Sequence, residues 1–321
     1  MITKRATILC SFLLLCLVLL SSCGQTSQSI SKTPTRTPLL PTFTVMPTLT
    51  SALSTPTSTP GATPLHFKVR VLLTGARRPD DLVLDPQGRL VFSDFYNGTV
   101  SRLNADGSVT LLLSGLAGPE GLAYLPDGTL IIAEQTTNRI LQLAPATSTP
   151  TVLRVLPGTP SGLSCKDGVD GIAFDPVNKT LIVPDSPTGI VYLMSLDGQK
   201  LTTLASGIVR PVGAAVDSQG NIYVADECGG AVVRITPAGK TTRIGGFGMP
   251  DDVAFDPQGN LLVIDLQPSI HALIRVRQAT GQRETLLSKG LIEPQGLVVD
   301  QRGNIYVSDD YANTIMELSP A

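Results

Sequence analysis

A short pattern recurring six times between Pro79 and Gly296 constrains this chain more than any other feature. Each copy opens on a Pro-x-Gly-like lead-in, then shows an apolar triplet, an Asp-x-x-Gly-like turn, a second apolar run and an acidic residue. The lead-ins are Pro79-Asp80-Asp81, Pro119-Glu120-Gly121, Val169-Asp170-Gly171, Pro211-Val212-Gly213, Pro250-Asp251-Asp252 and Pro294-Gln295-Gly296. They return roughly every 40 to 50 residues, the length of one four-stranded propeller blade. In the fourth copy, β-branched and aliphatic runs predict strands at 214–216, 222–225, 232–235 and 241–244. The turn between the first two is Asp217-Ser218-Gln219-Gly220, matched by Asp85-Pro86-Gln87-Gly88 and Asp256-Pro257-Gln258-Gly259. Proline at the second position and glycine at the fourth suit a type I turn. No segment keeps a helical period, so the fold class is all-β: a six-bladed β-propeller of four-stranded antiparallel blades.

The sixth copy runs out after its third strand, leaving an edge that invites aggregation. The missing strand is predicted at the other end. His66-Phe67-Lys68-Val69-Arg70-Val71-Leu72-Leu73 followed by Thr74-Gly75 matches the outer strands around Val109 and Arg283, so the N-terminal strand is expected to close the last blade. That puts the propeller at 65–321.

Gly220-Asn221-Ile222-Tyr223-Val224-Ala225-Asp226 and Gly303-Asn304-Ile305-Tyr306-Val307-Ser308-Asp309 resemble NHL repeats. The same units resemble the gluconolactonase and senescence-marker-protein family of six-bladed propellers over essentially all of 65–321. The resemblance implies a fold; it does not by itself imply an activity.

In such a ring the lead-ins and the loops after each second strand lie at one end of the channel. The second strands all end on an acid, Asp94, Glu134, Asp185, Asp226, Asp265 and Asp309, and that uniformity points to a structural role. The lead-in ring varies: Asp80, Glu120, Asp170, Val212, Asp251 and Gln295. Four carboxylates around one axis repel unless protonated or neutralised by a cation. Asp80, Glu120, Asp170 and Asp251 are therefore candidate ligands for a divalent metal, calcium first by its preference for oxygen, with zinc or manganese as alternatives. The resemblance implies the same ring, because Glu120-Gly121 and Asp170-Gly171 match the family's metal-ligand motifs and an aspartate there is thought to act as base. Asp170 and Asp251 are accordingly the candidate catalytic bases for lactone hydrolysis. The family's two asparagines are absent, and Val212 offers no ligand. Cys165 and Cys228 are expected on the mouth face of adjacent blades, where a disulfide is open to them if their Cα atoms come within about 7 Å. His66 and His271 are read as strand residues, and the chain has neither a Cys-x-x-Cys zinc motif nor a Gly-x-Ser-x-Gly elbow.

Lys4 and Arg5 precede an apolar run ending at Leu20-Ser21-Ser22-Cys23. The run falls short of the roughly 20 residues a spanning helix needs, so 1–22 reads as a secretory signal. The Leu-Ser-Ser-Cys ending resembles a bacterial lipobox, which implies lipidation of Cys23, anchorage to the membrane and an extracytoplasmic location. Residues 23–64, rich in Thr, Ser and Pro, read as a disordered stalk. A net charge of −2 gives no electrostatic reason for a nucleic-acid partner. Two functions stay open: a monomeric binding module for a protein, glycan or small molecule, and a metal-dependent lactone hydrolase.

Overall fold

The computed structural model describes residues 67–321 apart from 76, 163 and 164; the expectations for the signal segment, Cys23, the stalk and His66 lie outside the described residues. The chain from Phe67 onward forms six four-stranded antiparallel sheets. Five are built from consecutive strands, innermost first, as in blade 4 with Pro211–Val216, Ile222–Asp226, Ala231–Ile235 and Thr241–Gly245. Blade 6 takes Pro294–Val299, Ile305–Asp309 and Thr314–Pro320 from the C-terminal end and its outermost strand, Phe67–Leu73, from the N-terminal end. Val69 pairs with Leu318 and Val71 with Met316. The molecule is a six-bladed β-propeller, all-β, with one short 3-10 turn at Glu227–Gly229 among the described residues.

The second strand of each blade explains how the ring holds together. Leu130–Glu134 in blade 2 is buried along its whole length. Alternate side chains point to opposite faces of a sheet, so Ile131 packs with Leu181 and Met194 of blade 3 while Ile132 packs with Val91 and Val100 of blade 1. Six apolar clusters repeat this arrangement between neighbouring blades, the last joining Phe92 of blade 1 to Tyr306 and Ile315 of blade 6. Each fully buried aliphatic side chain contributes about 1.5–3 kcal/mol.

In blades 2, 4, 5 and 6 the inner strands start earlier than the apolar triplets predict. Pro211 already pairs with Asp226, and the register slips before Ala214; the same slip follows Pro119, Pro250 and Pro294. Proline lacks the N–H that a continuous ladder needs, and a bulge follows it; in blades 2, 5 and 6 the residue after the proline, Glu120, Asp251 or Gln295, lines the channel mouth. The loops leading into these bulges are pinned by the acids that end the second strands. Asp226 accepts from the backbone N–H groups of Val209 and Arg210 at 3.1 and 3.0 Å, and Asp265 from those of Gly248 and Met249 at 2.8 and 2.9 Å. Glu134 and Asp94 do the same for Ala117 and Arg78. The uniform acidic ring is thus the scaffold of the channel mouth.

Candidate functional site

Below the mouth, the residue after each lead-in position brings the inner strands together. A Cβ on Gly121 would lie 2.4 Å from the Asp170 carbonyl oxygen, and one on Gly171 2.7 Å from the Gly213 Cα, so these positions admit no side chain. Blades 1 and 5 carry aspartate instead, and each links two inner strands. Asp81 accepts from the N–H of Leu82 at 2.7 Å and of Leu122 in blade 2 at 2.6 Å. Asp252 accepts from Val253 at 2.7 Å and from Leu297 in blade 6 at 2.8 Å. Burial, partly offset by these hydrogen bonds, raises the Asp81 carboxyl to about 7, and burial together with the charge of Asp81 drives Asp252 well above the usual carboxylate range.

Above this waist the mouth opens into a cavity of about 470 Å³. Asp80, Glu120, Asp170 and Asp251 all line it, as does Gln295, whereas Val212 is fully buried in the apolar cluster between blades 4 and 5. Burial and then the charge of Asp170 push Asp80 and Asp251 well above the ordinary carboxylate range. Glu120 is raised by the same causes, and its hydrogen bond with Asp170 adds to the shift.

The cation at its centre belongs to the chain. Arg210 places Nη2 3.0 Å from the Asp170 carboxylate and 3.5 Å from Asp167, and its other nitrogen pairs with Glu227. Its backbone is fixed between Asp226 and the N–H of Glu227. The Gln135 amide also donates to Asp170, at 3.3 Å. Cys165 and Cys228 form a disulfide in the structure with Cα atoms 5.9 Å apart, and Asp167 and Glu227 lie beside them in the chain. Among the described residues no group of three or more His, Cys, Asp or Glu side chains is arranged to hold a metal ion. With Arg210 against Asp170 and Val212 turned into the core, the donor set as arranged does not fit a resident divalent cation.

Two further rings reach the cavity that the lead-in pattern alone did not reveal. The residues just before the lead-in proline supply Arg210, Met249 and Glu293, and those just after the second strands supply Phe95, Gln135, Glu227, Leu266 and Asp310. Both vary from blade to blade, and that variation was available as a signal. His271 lies before the strand Ala272–Val276 rather than within it, and it lines the cavity. Its φ of 35° is a left-handed conformation that a side-chain-bearing residue rarely adopts. Met249, Leu266, Pro268 and Ile292 complete an apolar wall.

Residues 163–264 match the family model described as "SMP-30/Gluconolactonase/LRE-like region", a segment that contains Asp170, Arg210 and Asp251. No curated protein matches the sequence. Among solved structures, the gluconolactonase from Xanthomonas campestris aligns with a TM-score of 0.64 at 18% identity, covering 79% of this chain and 90% of that one. A streptogramin B lyase aligns at 0.61 with 14% identity, covering 79% and 98%. A chain of a nidogen/laminin complex aligns at 0.62 with 21% identity, covering 71% and 88%. At such identities the likeness shows the propeller fold alone, and the three neighbours carrying it are described as a lactonase, a lyase and part of a protein complex, so the fold leaves the function open.

Proposed function

Starting from a propeller whose residues 163–264 match the gluconolactonase-type family model, we propose that the chain is an extracytoplasmic, membrane-anchored binding module that takes a small organic molecule at the channel mouth. The observation that carries this reading is the 470 Å³ cavity itself, lined by polar groups together with Phe95, Leu266, Pro268 and Ile292. Small-molecule sites of roughly 300–1,000 Å³ combine an apolar wall with a few fixed polar groups in this way. Anchorage rests on the lipobox-like Cys23 alone. An NMR screen of a small-molecule library against the mature chain should yield binders whose signals are lost in Ile292→Trp. Ile292 is 52% exposed at the rim, so its enlargement fills the cavity without disturbing the core. Binders indifferent to that substitution, or none at all, would remove the mouth as the site.

A second reading, lactone hydrolysis, is favoured by the family match spanning Asp170 and Asp251. Asp170 is held by Arg210 and Gln135 with its carboxylate turned to the cavity, where it could accept a proton. Calorimetric titration with calcium, zinc and manganese, paired with a lactone-turnover assay, separates the two. Metal uptake with turnover lost in Asp170→Ala and Asp251→Ala selects the hydrolase; binding of ligand without either selects the module.

A further inference from the structure

We propose that the molecule bound at the mouth is an organic cation, an ammonium or guanidinium group carried on an apolar body. The inference rests on the reading of the mouth cavity as a ligand site. Carboxyl groups far outnumber basic ones on the wall, and the charge of Arg210 is already committed to Asp167, Asp170 and Glu227. An anionic ligand would find no unpaired arginine there.

Asp310 supplies an independent pointer. It lines the cavity and is 2% exposed; its Oδ2 receives the Arg78 guanidinium at 3.0 Å, the Gln295 side chain lies beside the carboxyl, and its Oδ1 is buried with no donor in bonding geometry. A buried polar atom left without a partner costs about 1–3 kcal/mol, a cost that a donor on the ligand would relieve. The adjoining aromatic surface already suits a cation. Arg78 lies 3.5 Å from the centre of the Tyr96 ring and 4.5 Å from that of Tyr311, and both rings are half exposed. These rings thus already hold one cation, the chain's own guanidinium, on their faces.

Asp80, Glu120 and Asp251 face the same cavity, where an entering positive charge would offset the repulsion among carboxyl groups gathered around one axis. The apolar body would lie on Phe95, Leu266 and Ile292.

Three probes of one shape and different charge test the proposal: benzylamine, benzyl alcohol and phenylacetate, titrated calorimetrically into the mature chain near neutral pH. Benzylamine is expected to bind roughly tenfold or more tightly than the other two. Asp310→Asn should weaken benzylamine by a similar factor and leave benzyl alcohol unchanged; a merely structural role for Asp310 would affect both. Equal or tighter binding of benzyl alcohol or phenylacetate, lost in Ile292→Trp, overturns the cation class and leaves the mouth site standing. Failure of all three at millimolar concentration overturns the mouth site as well.

Discussion

Asp81, Asp252 and Asp310 are carboxyls that folding makes weaker acids, and the consequence is a testable pH dependence. Asp81 rises from 3.8 to about 7 and Asp310 from 3.8 to about 6, both chiefly through burial. A group that holds its proton more tightly when folded stabilises the native state fully below its ordinary pKa, and that contribution is lost as pH rises through the folded value. Glu134 and Asp300 shift the opposite way, so the stability they add disappears only in acid, as pH falls through their lowered folded values. Between these ranges the raised carboxyls govern, and the thermal midpoint should climb by a few degrees as pH drops from about 8 to about 5. A series of melts checks this, and a flat or inverted profile would contradict it. Asp81→Asn should flatten the slope. These residues also mark the limit of sequence reading. Asp80, Glu120, Asp170 and Asp251 were legible as a converging ring because they occupy one repeated position. Arg210 was not, because it stands two residues earlier in its copy, at a position that blade 1 also fills with arginine, Arg78, but that holds glycine, methionine or glutamate in the other four blades. Charge compensation by the chain's own side chain leaves no local motif; it emerges only when blades 3 and 4 are set side by side.

At the scale of elements, the strands and turns were readable because each is repeated with its own physical cause. Asp217 shows it: its Oδ1 accepts from the backbone of Gln219 at 2.9 Å and of Asn221 at 2.8 Å, and Gly220 follows with φ of 77°. The bulges were not readable, since the apolar triplet begins only where the ladder becomes regular. The disulfide was legible as to face, but the distance that permits it depends on how neighbouring blades pack. It ties the loop before Ala173–Asp175 of blade 3 to the 3-10 turn Glu227–Gly229 of blade 4, across a sequence separation of 63. Paired Cys165→Ser and Cys228→Ser substitutions should lower stability by about 2–4 kcal/mol in urea unfolding. Because Asp167 and Glu227 flank the two cysteines and hold Arg210, the same protein should also bind mouth ligands more weakly. A full loss of stability with unchanged ligand affinity would show that the staple serves the fold alone.

Closure is a property of the whole ring, and its dependence on the N-terminal strand can be tested by truncation. Phe67–Leu73 pairs along the length of Thr314–Pro320, Arg70 bridges to Glu317 at 2.7 Å, and Leu73 joins the cluster between blades 6 and 1. Without that strand, Ile315 and Leu318, both fully buried, would lie on an unpaired edge. The loss would not stay local. An open array of repeats loses stability unit by unit, whereas in a closed ring the cluster shared by blades 6 and 1 is formed only once both ends of the chain are in place. Removing residues 1–64 should therefore leave a protein that unfolds in one cooperative transition at an unchanged midpoint. Removing residues 1–74 should give a chain that aggregates or unfolds over a broad range, and adding back a peptide of residues 65–75 should restore part of the cooperativity. Equal stability of the two truncated proteins would mean that the five contiguous blades and the three-stranded remnant suffice, and that the N-terminal strand is only a cover.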